Sequence, residues 1–368
     1  MNNPRIIISG GGTGGHIFPA LSIAGSVRKL CPEAEILFVG ALGKMEMERV
    51  PAAGYKIIGL PVAGLQRSLS PKNLALPFKV MESVRKAGKI IEEFKPDVAV
   101  GVGGYASAPL LWSASHKGIP CLIQEQNSYA GLTNKILAKR AAKICTAYEG
   151  MERFFPADRI LLTGNPIRPE IAPATSKQRE EGYKFYGLDP DKKTLFVVGG
   201  SLGSGTLNKT MRRWVEERGA SADYQVIWQC GRYYKAQVDG FMAGRNVPNL
   251  IYTDFISRMD LAYAVADLLV SRAGAGTISE LCVAGKATIF VPSPNVAEDH
   301  QTHNARALVE KNAAVMVRDA DSVEQLIGVA EGLLSDPARL ADLENNILKL
   351  GRKDAGEVIA REVLKLVK

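Results

Sequence analysis

The chain has 368 residues, is 46% hydrophobic and 23% charged, and carries a formal net charge of +8. That composition suits a folded chain long enough for two domains and argues against a disordered, fibrous or disulfide-stapled protein. The five cysteines are widely spaced, odd in number and without a C-x-x-C pair, which points to reduced thiols and away from a structural zinc site. No leader-like segment precedes the first apolar run, and no stretch reaches the roughly 18 apolar residues of a membrane span. The expectation is a cytoplasmic protein, or one attached to a membrane from that side. Residues 1–163 hold 20 Lys and Arg against 12 Asp and Glu, so the first half carries the whole excess. A basic half suits nucleic acid, an anionic membrane surface or a phosphorylated ligand. With 7% aromatic residues and no nucleic-acid motif, nucleic acid ranks last.

In chain order, Arg5 to His16 reads as a strand running into a glycine loop. Ile6, Ile7 and Ile8 form a continuous β-branched run, as in a parallel strand buried on both faces. Gly10, Gly11, Gly12, Gly14 and Gly15 permit a sharp turn with uncovered amides, and the helical period that follows places the loop at a helix start, where anions are favoured. Gly10-x-Gly12-x-x-Gly15 formally meets the dinucleotide fingerprint, which makes a nicotinamide-binding oxidoreductase the first rival. The acid expected after the next strand is missing, since that run ends in Gly40, Ala41 and Leu42. No Gly-Lys-Ser/Thr follows the loop, which argues against a P-loop ATPase.

Strands are expected at 6–9, 36–40, 56–60, 98–101, 121–124 and 143–146, then at 194–198, 225–229, 250–253, 268–271, 287–291 and 314–317, with helical segments between them. This alternation predicts two doubly wound, Rossmann-like α/β domains, 1–163 and 164–341, facing a cleft. The segment 163–169 reads as a turn-rich hinge, and 342–368 as a helical end that packs back on the first domain. One stretch breaks the polar surface pattern: Leu74, Leu76, Phe78, Val80, Met81 and Val84 lie among Lys72, Lys79, Arg85, Lys86 and Lys89. Pro71 and Pro77 are expected to interrupt any long helix there. Two readings stay open, an interfacial patch on anionic lipid or a core-facing helix with a solvated basic face.

The second half carries another strand, small-residue loop and helix start at 268–280. Amides around Ala275, Gly276 and Thr277, with the hydroxyls of Thr277 and Ser279, suit a diphosphate. Glu280 suits a ribose diol, or else merely steadies the helix N-terminus. Asp299-His-Gln-Thr-His-Asn304 offers polar groups to a sugar.

At these residues the chain resembles a known family. GGGTGGHIFPA at the start, GGYASAP at 103–109, EQN at 125–127, AGLTNKILA at 130–138, GNPIR at 164–168, GGSLGS at 199–204, AGAGTISE ending at Glu280 and DHQTHNA at 299–305 occur in order along essentially the whole length. In this they resemble the bacterial peptidoglycan glycosyltransferases that add N-acetylglucosamine to undecaprenyl-pyrophosphoryl-muramoyl-pentapeptide, converting lipid I to lipid II. The resemblance implies a glycosyltransferase-B fold, a peripheral position on the cytoplasmic face of the cell membrane, UDP-N-acetylglucosamine as donor and no required cofactor. It implies that the second domain holds the donor and the first the lipid acceptor. Glu280 then holds the ribose, and Ala275, Gly276, Thr277, Ile278 and Ser279 surround the diphosphate. Phe255 and Ile256 lie at the uracil, with Arg168 and Ser201 nearby, and Gln301, His300 and Asn127 address the sugar. Gly12, Thr13, Gly14, Gly15 and His16 line the reaction centre and the acceptor pyrophosphate with Gly103, Gly104 and Tyr105; Thr13, Gly14 and Gly15 also face the donor. Leu74, Phe78, Lys79, Met81, Val84 and Arg85 would form the membrane patch. The chain departs from the family pattern at Leu202 and Ser204, usually Gln and Ala, at Gln124, usually His, and at Ala273, where Ser is common.

The implied reaction is an inverting displacement, the acceptor C4 hydroxyl attacking the anomeric carbon as UDP leaves. His16 is the leading base because its titration lies near physiological pH, with Glu125 the alternative. A loop-bracing hydrogen bond and a salt bridge are the competing structural roles for these two. The Asp-x-Asp pairs at 189–191 and 319–321 follow no apolar strand, so no metal is expected. Other UDP-sugar transferases or epimerases of the same fold, and a membrane-associated nucleotide sensor, are the remaining rivals.

Overall fold

The computed structural model describes residues 3–62, 76–200 and 202–367. Its contacts divide the chain into two units, Met1–Ile167 with Arg352–Lys368, and Arg168–Gly351.

Among the described residues of the first unit, seven parallel strands lie in the order β3-β2-β1-β4-β5-β6-β7. They are β1 Arg5–Ser9, β2 Glu35–Ala41, β3 Lys56–Leu60, β4 Val98–Gly101, β5 Cys121–Glu125, β6 Lys143–Thr146 and β7 Ile160–Leu162. Helices α1 Gly14–Leu30, α2 Glu46–Ala52, α3 Leu76–Phe94, α4 Ser107–His116 and α5 Leu132–Leu137 connect them. Ile7, Val39 and Ala99 face a core with Ala87, Ile90 and Leu110 of α3 and α4. Ile6 and Ile8 face the other side, with Ile23 and Val27 of α1. Both faces are covered, which is why the strand reads as unbroken apolar sequence. Strand β7 was not expected: it is three half-buried residues at the sheet edge, too short to show a period. Of the two prolines expected to interrupt a helix here, Pro71 lies outside the described residues, and Pro77 does not break α3 because it falls in the first turn, where a missing N–H costs little.

The second unit has six described parallel strands in the order β10-β9-β8-β11-β12-β13. These are β8 Thr194–Val198, β9 Gln225–Gln229, β10 Leu250–Thr253, β11 Leu268–Ser271, β12 Thr288–Phe290 and β13 Val315–Met316. Its helices are α6 Ser176–Tyr186, α7 Gly205–Glu217, α8 Lys235–Met242, α9 Met259–Val265, α10 Ala275–Ala284, α11 His300–Val309, α12 Ser322–Leu334 and α13 Pro337–Leu348. Trp214 and Trp228 are fully buried, and each indole N–H finds an acceptor, Tyr224 Oη at 2.7 Å and Asn208 Oδ1 at 2.9 Å.

The chain leaves the second unit at Arg352, ten residues later than the expected 342. Helix α13 buries Leu340 and Leu343 in the second core. Only the last helix, α14 Ala355–Lys365, joins the first unit, where Ile359 and Val363 pack beside Ile23 and Val27 of α1. The segment expected to be a hinge is tied to the first unit through Ile167. Asn165 accepts from Gln124 Nε2 at 2.8 Å and donates to the Gln126 carbonyl at 3.0 Å. Gly164, at φ +81°, lies where a Cβ would fall 2.6 Å from that of Arg352.

In each unit the strand order reverses once, between β1 and β4 and between β8 and β11. Ligands of open parallel sheets bind beyond the carboxyl ends of strands at such a point.

Candidate active site

In the first unit the reversal brings two glycine loops together. The loop after β1 enters α1 with Thr13 as an extended N-cap whose side chain makes no cap bond. The loop after β4 presents Gly103 and Gly104 at φ +94° and +87°. Only glycine suits these two positions: a side chain at Gly104 would overlap the Gly11 carbonyl, and a Cβ at Gly103 would stand 2.8 Å from His16 Cδ2 and 2.9 Å from Nε2. His16 Nδ1 lies 3.0 Å from the Gly11 carbonyl oxygen and 3.4 Å from Thr13 Oγ1. A carbonyl only accepts, so Nδ1 carries the proton, and the lone pair of the neutral ring is on Nε2, the edge beside Gly103. Tyr105 is exposed next to this loop.

Beneath the loop is a residue that sequence reasoning missed. Glu46, at the start of α2, is fully buried, and its carboxylate accepts from Gly12 N–H at 3.1 and 3.2 Å and from Ala41 N–H at 2.9 Å. A side chain at Gly11 or Gly40 would overlap Glu46. The Gly12 amide, expected to meet phosphate, is therefore committed to an internal anion. The available signal was an acid five residues past a strand that ends in Gly-Ala.

Glu125 is 1% exposed, and four donors converge on it: Asn127 N and Nδ2 at 3.0 and 3.2 Å, Gly131 N at 3.0 Å and Asn134 Nδ2 at 2.8 Å. Both oxygens are occupied in shaping the loop after β5. Glu125 thus positions Asn127, and the expected salt bridge is replaced by N–H donors.

In the second unit, α10 begins at Ala275 on Gly274 with no side-chain cap, whereas Thr175, Ser204 and Asp336 cap α6, α7 and α13. The first-turn amides of Ala275, Gly276 and Thr277 therefore lack both intrahelical and capping acceptors. Ser279 Oγ bonds back to the Ala275 carbonyl at 2.9 Å. Ile278 is a correction: its side chain is buried and its N–H bonds the Gly274 carbonyl at 2.9 Å, so it presents no group to a ligand. Glu280 is gripped by Arg168, Nε to Oε1 at 2.7 Å and Nη2 to Oε2 at 2.6 Å, with the Tyr263 hydroxyl 3.3 Å from Oε2. Burial, then the neighbouring Glu280 charge, hold that phenol protonated well above its usual range. Phe255 is 48% exposed beneath the Arg232 guanidinium, 5.0 Å from its ring, while Ile256 is buried and offers only its backbone. Gln301 Oε1 accepts from Ala273 N at 3.2 Å and Ser293 N at 2.8 Å, joining the loops after β11 and β12. His300 Nε2 is 3.1 Å from Glu298 Oε2. Arg272, also missed, bonds Ser204 Oγ at 2.6 Å and Asp319 Oδ1 at 2.5 Å, drawing in the loops after β8 and β13. Ser201 lies outside the described residues, and Leu202 is exposed beside it.

Models of the glycosyltransferase family 28 N-terminal and C-terminal domains match residues 6–146 and 194–360. The chain belongs to glycosyltransferase family 28. It is 56% identical over 368 residues to a Parabacteroides distasonis protein named UDP-N-acetylglucosamine--N-acetylmuramyl-(pentapeptide) pyrophosphoryl-undecaprenol N-acetylglucosamine transferase, covering 100% of this chain and 99% of that one. A Flavobacterium psychrophilum protein of the same name is 47% identical, with coverage of 100% and 99%. Among solved structures, MurG of Acinetobacter baumannii superposes with a TM-score of 0.79 at 26% identity, covering 98% of this chain and 99% of its own. A Neisseria meningitidis UDP-GlcNAc 2-epimerase, at 13% identity and a TM-score of 0.66 with coverage of 99% and 100%, shares the fold. The family's two parallel α/β units are those described above.

One further face of this family 28 chain stands out. On α3, Phe78 and Met81 are 70% and 66% exposed, with Lys79 and Arg85 exposed beside them, while Ala87, Ile90 and Ile91 are buried. The first half of α3 thus presents exposed apolar and basic side chains, and the second half packs into the core. Val84, half-buried, marks the change. Leu74 lies outside the described residues. Ser113 Oγ of α4 bonds the Val84 carbonyl at 3.1 Å, and one residue before it Trp112 is exposed with the Arg140 guanidinium 5.0 Å from its ring. Among the described residues no helix is long and apolar enough to cross a membrane, and no group of three or more His, Cys, Asp or Glu is placed to hold a metal ion.

Proposed function

We propose that this family 28 enzyme transfers N-acetylglucosamine from UDP-N-acetylglucosamine to the C4 hydroxyl of the muramoyl sugar of undecaprenyl-pyrophosphoryl-muramoyl-pentapeptide, forming lipid II with inversion at the anomeric carbon. The observation that carries this is the 56% identity, over the whole of both chains, to a transferase of that name. The site geometry is consistent with a division of labour. The second unit holds the donor: Glu280 takes the ribose, the first turn of α10 the diphosphate, Phe255 the uracil face, and the amide nitrogen of Gln301 with His300 the sugar. The first unit holds the acceptor at Thr13 to His16 and Gly103 to Tyr105, with Gly12 held from below by Glu46, and Asn127, fixed by Glu125, serves a sugar hydroxyl.

His16 is the general base. With Nδ1 donating to the Gly11 carbonyl, Nε2 takes the proton of the attacking hydroxyl as the new bond forms, and the resulting imidazolium keeps its Nδ1 hydrogen bond. Charge developing on the departing UDP is met by the α10 amides and Arg168, without a metal. The exposed apolar and basic residues of α3, with Trp112, anchor the enzyme peripherally to the anionic cytoplasmic leaflet. The deciding assay is transfer of labelled N-acetylglucosamine to a lipid-linked muramoyl-pentapeptide. The expected result is labelled lipid product; donor binding without any such product would reject the acceptor assignment.

A further inference from the structure

The carboxylate assigned to the ribose is already heavily used. Arg168 donates to both oxygens of Glu280, at 2.7 and 2.6 Å, and Tyr263 adds a donor to Oε2 at 3.3 Å. A carboxylate offers about four acceptor directions, so roughly one remains. A ribose presents two adjacent hydroxyls, each in need of an acceptor. One donor must leave before the diol binds. Tyr263 is buried, whereas the Arg168 side chain is 44% exposed and Glu280 lies beneath it at 13%. Arg168 is the group that moves.

A guanidinium leaving a carboxylate needs another anion, and the nucleotide supplies one. Glu280 lies in the second turn of α10, whose first turn presents the uncapped amides of Ala275 to Thr277. A ligand with its ribose at the former and its phosphates at the latter brings the diphosphate within the reach of an arginine paired with Glu280. Guanidinium binds phosphate as it binds carboxylate, through two parallel N–H donors.

We propose that Arg168 is exchanged between two anions: the ribose diol displaces it from Glu280, and it transfers to the diphosphate of the same nucleotide. The inference rests on the assignment of Glu280 to the ribose. Its consequence is conditional recognition. A nucleoside alone must break the Arg168–Glu280 pair and offers the cation nothing in return, and a diphosphate alone does not free the carboxylate.

The test compares uridine with UDP by titration calorimetry on the full chain. Replacing Arg168 by Ala removes the competitor for Glu280, so uridine should bind about two- to fivefold more tightly, the range for a part-exposed ion pair. UDP should bind about tenfold or more weakly, since its diphosphate loses a charge-assisted partner. The opposite signs are diagnostic, because a residue that merely orients Glu280 would weaken both ligands together. Equal weakening, or no change in either, overturns the exchange. Arg168→Gln, which keeps volume and one donor, repeats the measurement if Arg168→Ala melts early. Failure of the unmutated protein to bind UDP would instead overturn the donor assignment itself.

Discussion

Replacing Gly103 by Ala tests the base directly, because the added methyl would stand 2.8 Å from His16 Cδ2 and 2.9 Å from Nε2. Carbon contacts settle near 3.5–4.0 Å, so the ring must retreat by roughly 0.7 Å or more. The Nδ1 bond to Gly11 opposes a simple slide, and the displacement therefore falls on the Nε2 edge. Ala at φ +94° adds backbone strain of about 1–2 kcal/mol. In a unit of this size that lowers the melting temperature by about 2–8 °C. A misplacement approaching 1 Å at a proton-transferring group costs up to about 100-fold, so kcat should fall about 10- to 100-fold. The assay is transfer of labelled N-acetylglucosamine at saturating acceptor, with UDP affinity measured in parallel as a control in the other unit. A variant that melts early yet retains full kcat would refute the assignment of the reacting edge to Nε2. Loss of UDP affinity in step with kcat would show that the damage is not local to His16.

Replacing Glu280 by Ala should weaken UDP binding at least about tenfold by removing both acceptors for the diol, and undiminished affinity would dismiss the ribose assignment. Glu125→Gln should destabilise by about 1–3 kcal/mol, because donors converging on its oxygens lose an acceptor, yet keep the fall of kcat toward acid pH. His16→Ala should abolish that acid limb, whereas its loss in Glu125→Gln alone would return the base role to the carboxylate. Glu46→Ala leaves the Gly12 and Ala41 amides without their acceptor and should cost about 2–4 kcal/mol in chemical denaturation; a neutral result would mean that the loop holds its shape without this anion. Serine at both Phe78 and Met81 should cut co-sedimentation with anionic vesicles about tenfold or more without changing stability, while serine at half-buried Val84 should lower stability instead. Unchanged vesicle binding by the double variant would move the membrane contact off α3.

The strands and both glycine loops were legible in the sequence because their signals are local. Continuous β-branched runs such as Ile6 to Ile8, with glycine close behind, have the composition of strands buried on both faces, and twelve strands were located within a residue or two. Short β7, the unbroken course of α3 past Pro77 and the crossing at Arg352 were not, since each depends on what a segment packs against. The residues proposed for the site, from His16 to Glu280, also come from these local motifs. What tertiary structure alone decided is how each polar group is engaged. Glu46 meets Gly12 across 34 residues and Arg168 meets Glu280 across 112, pairings created by β1 and β2 lying side by side and by the route of the chain into α6. The same packing turned Glu125 into a loop brace and pointed Ile278 into the core. Residue type says which chemistry a side chain can do, but a carboxylate that is buried and filled with donors does a different job from one that is open. Only the burial and partners supplied by the fold distinguish the two.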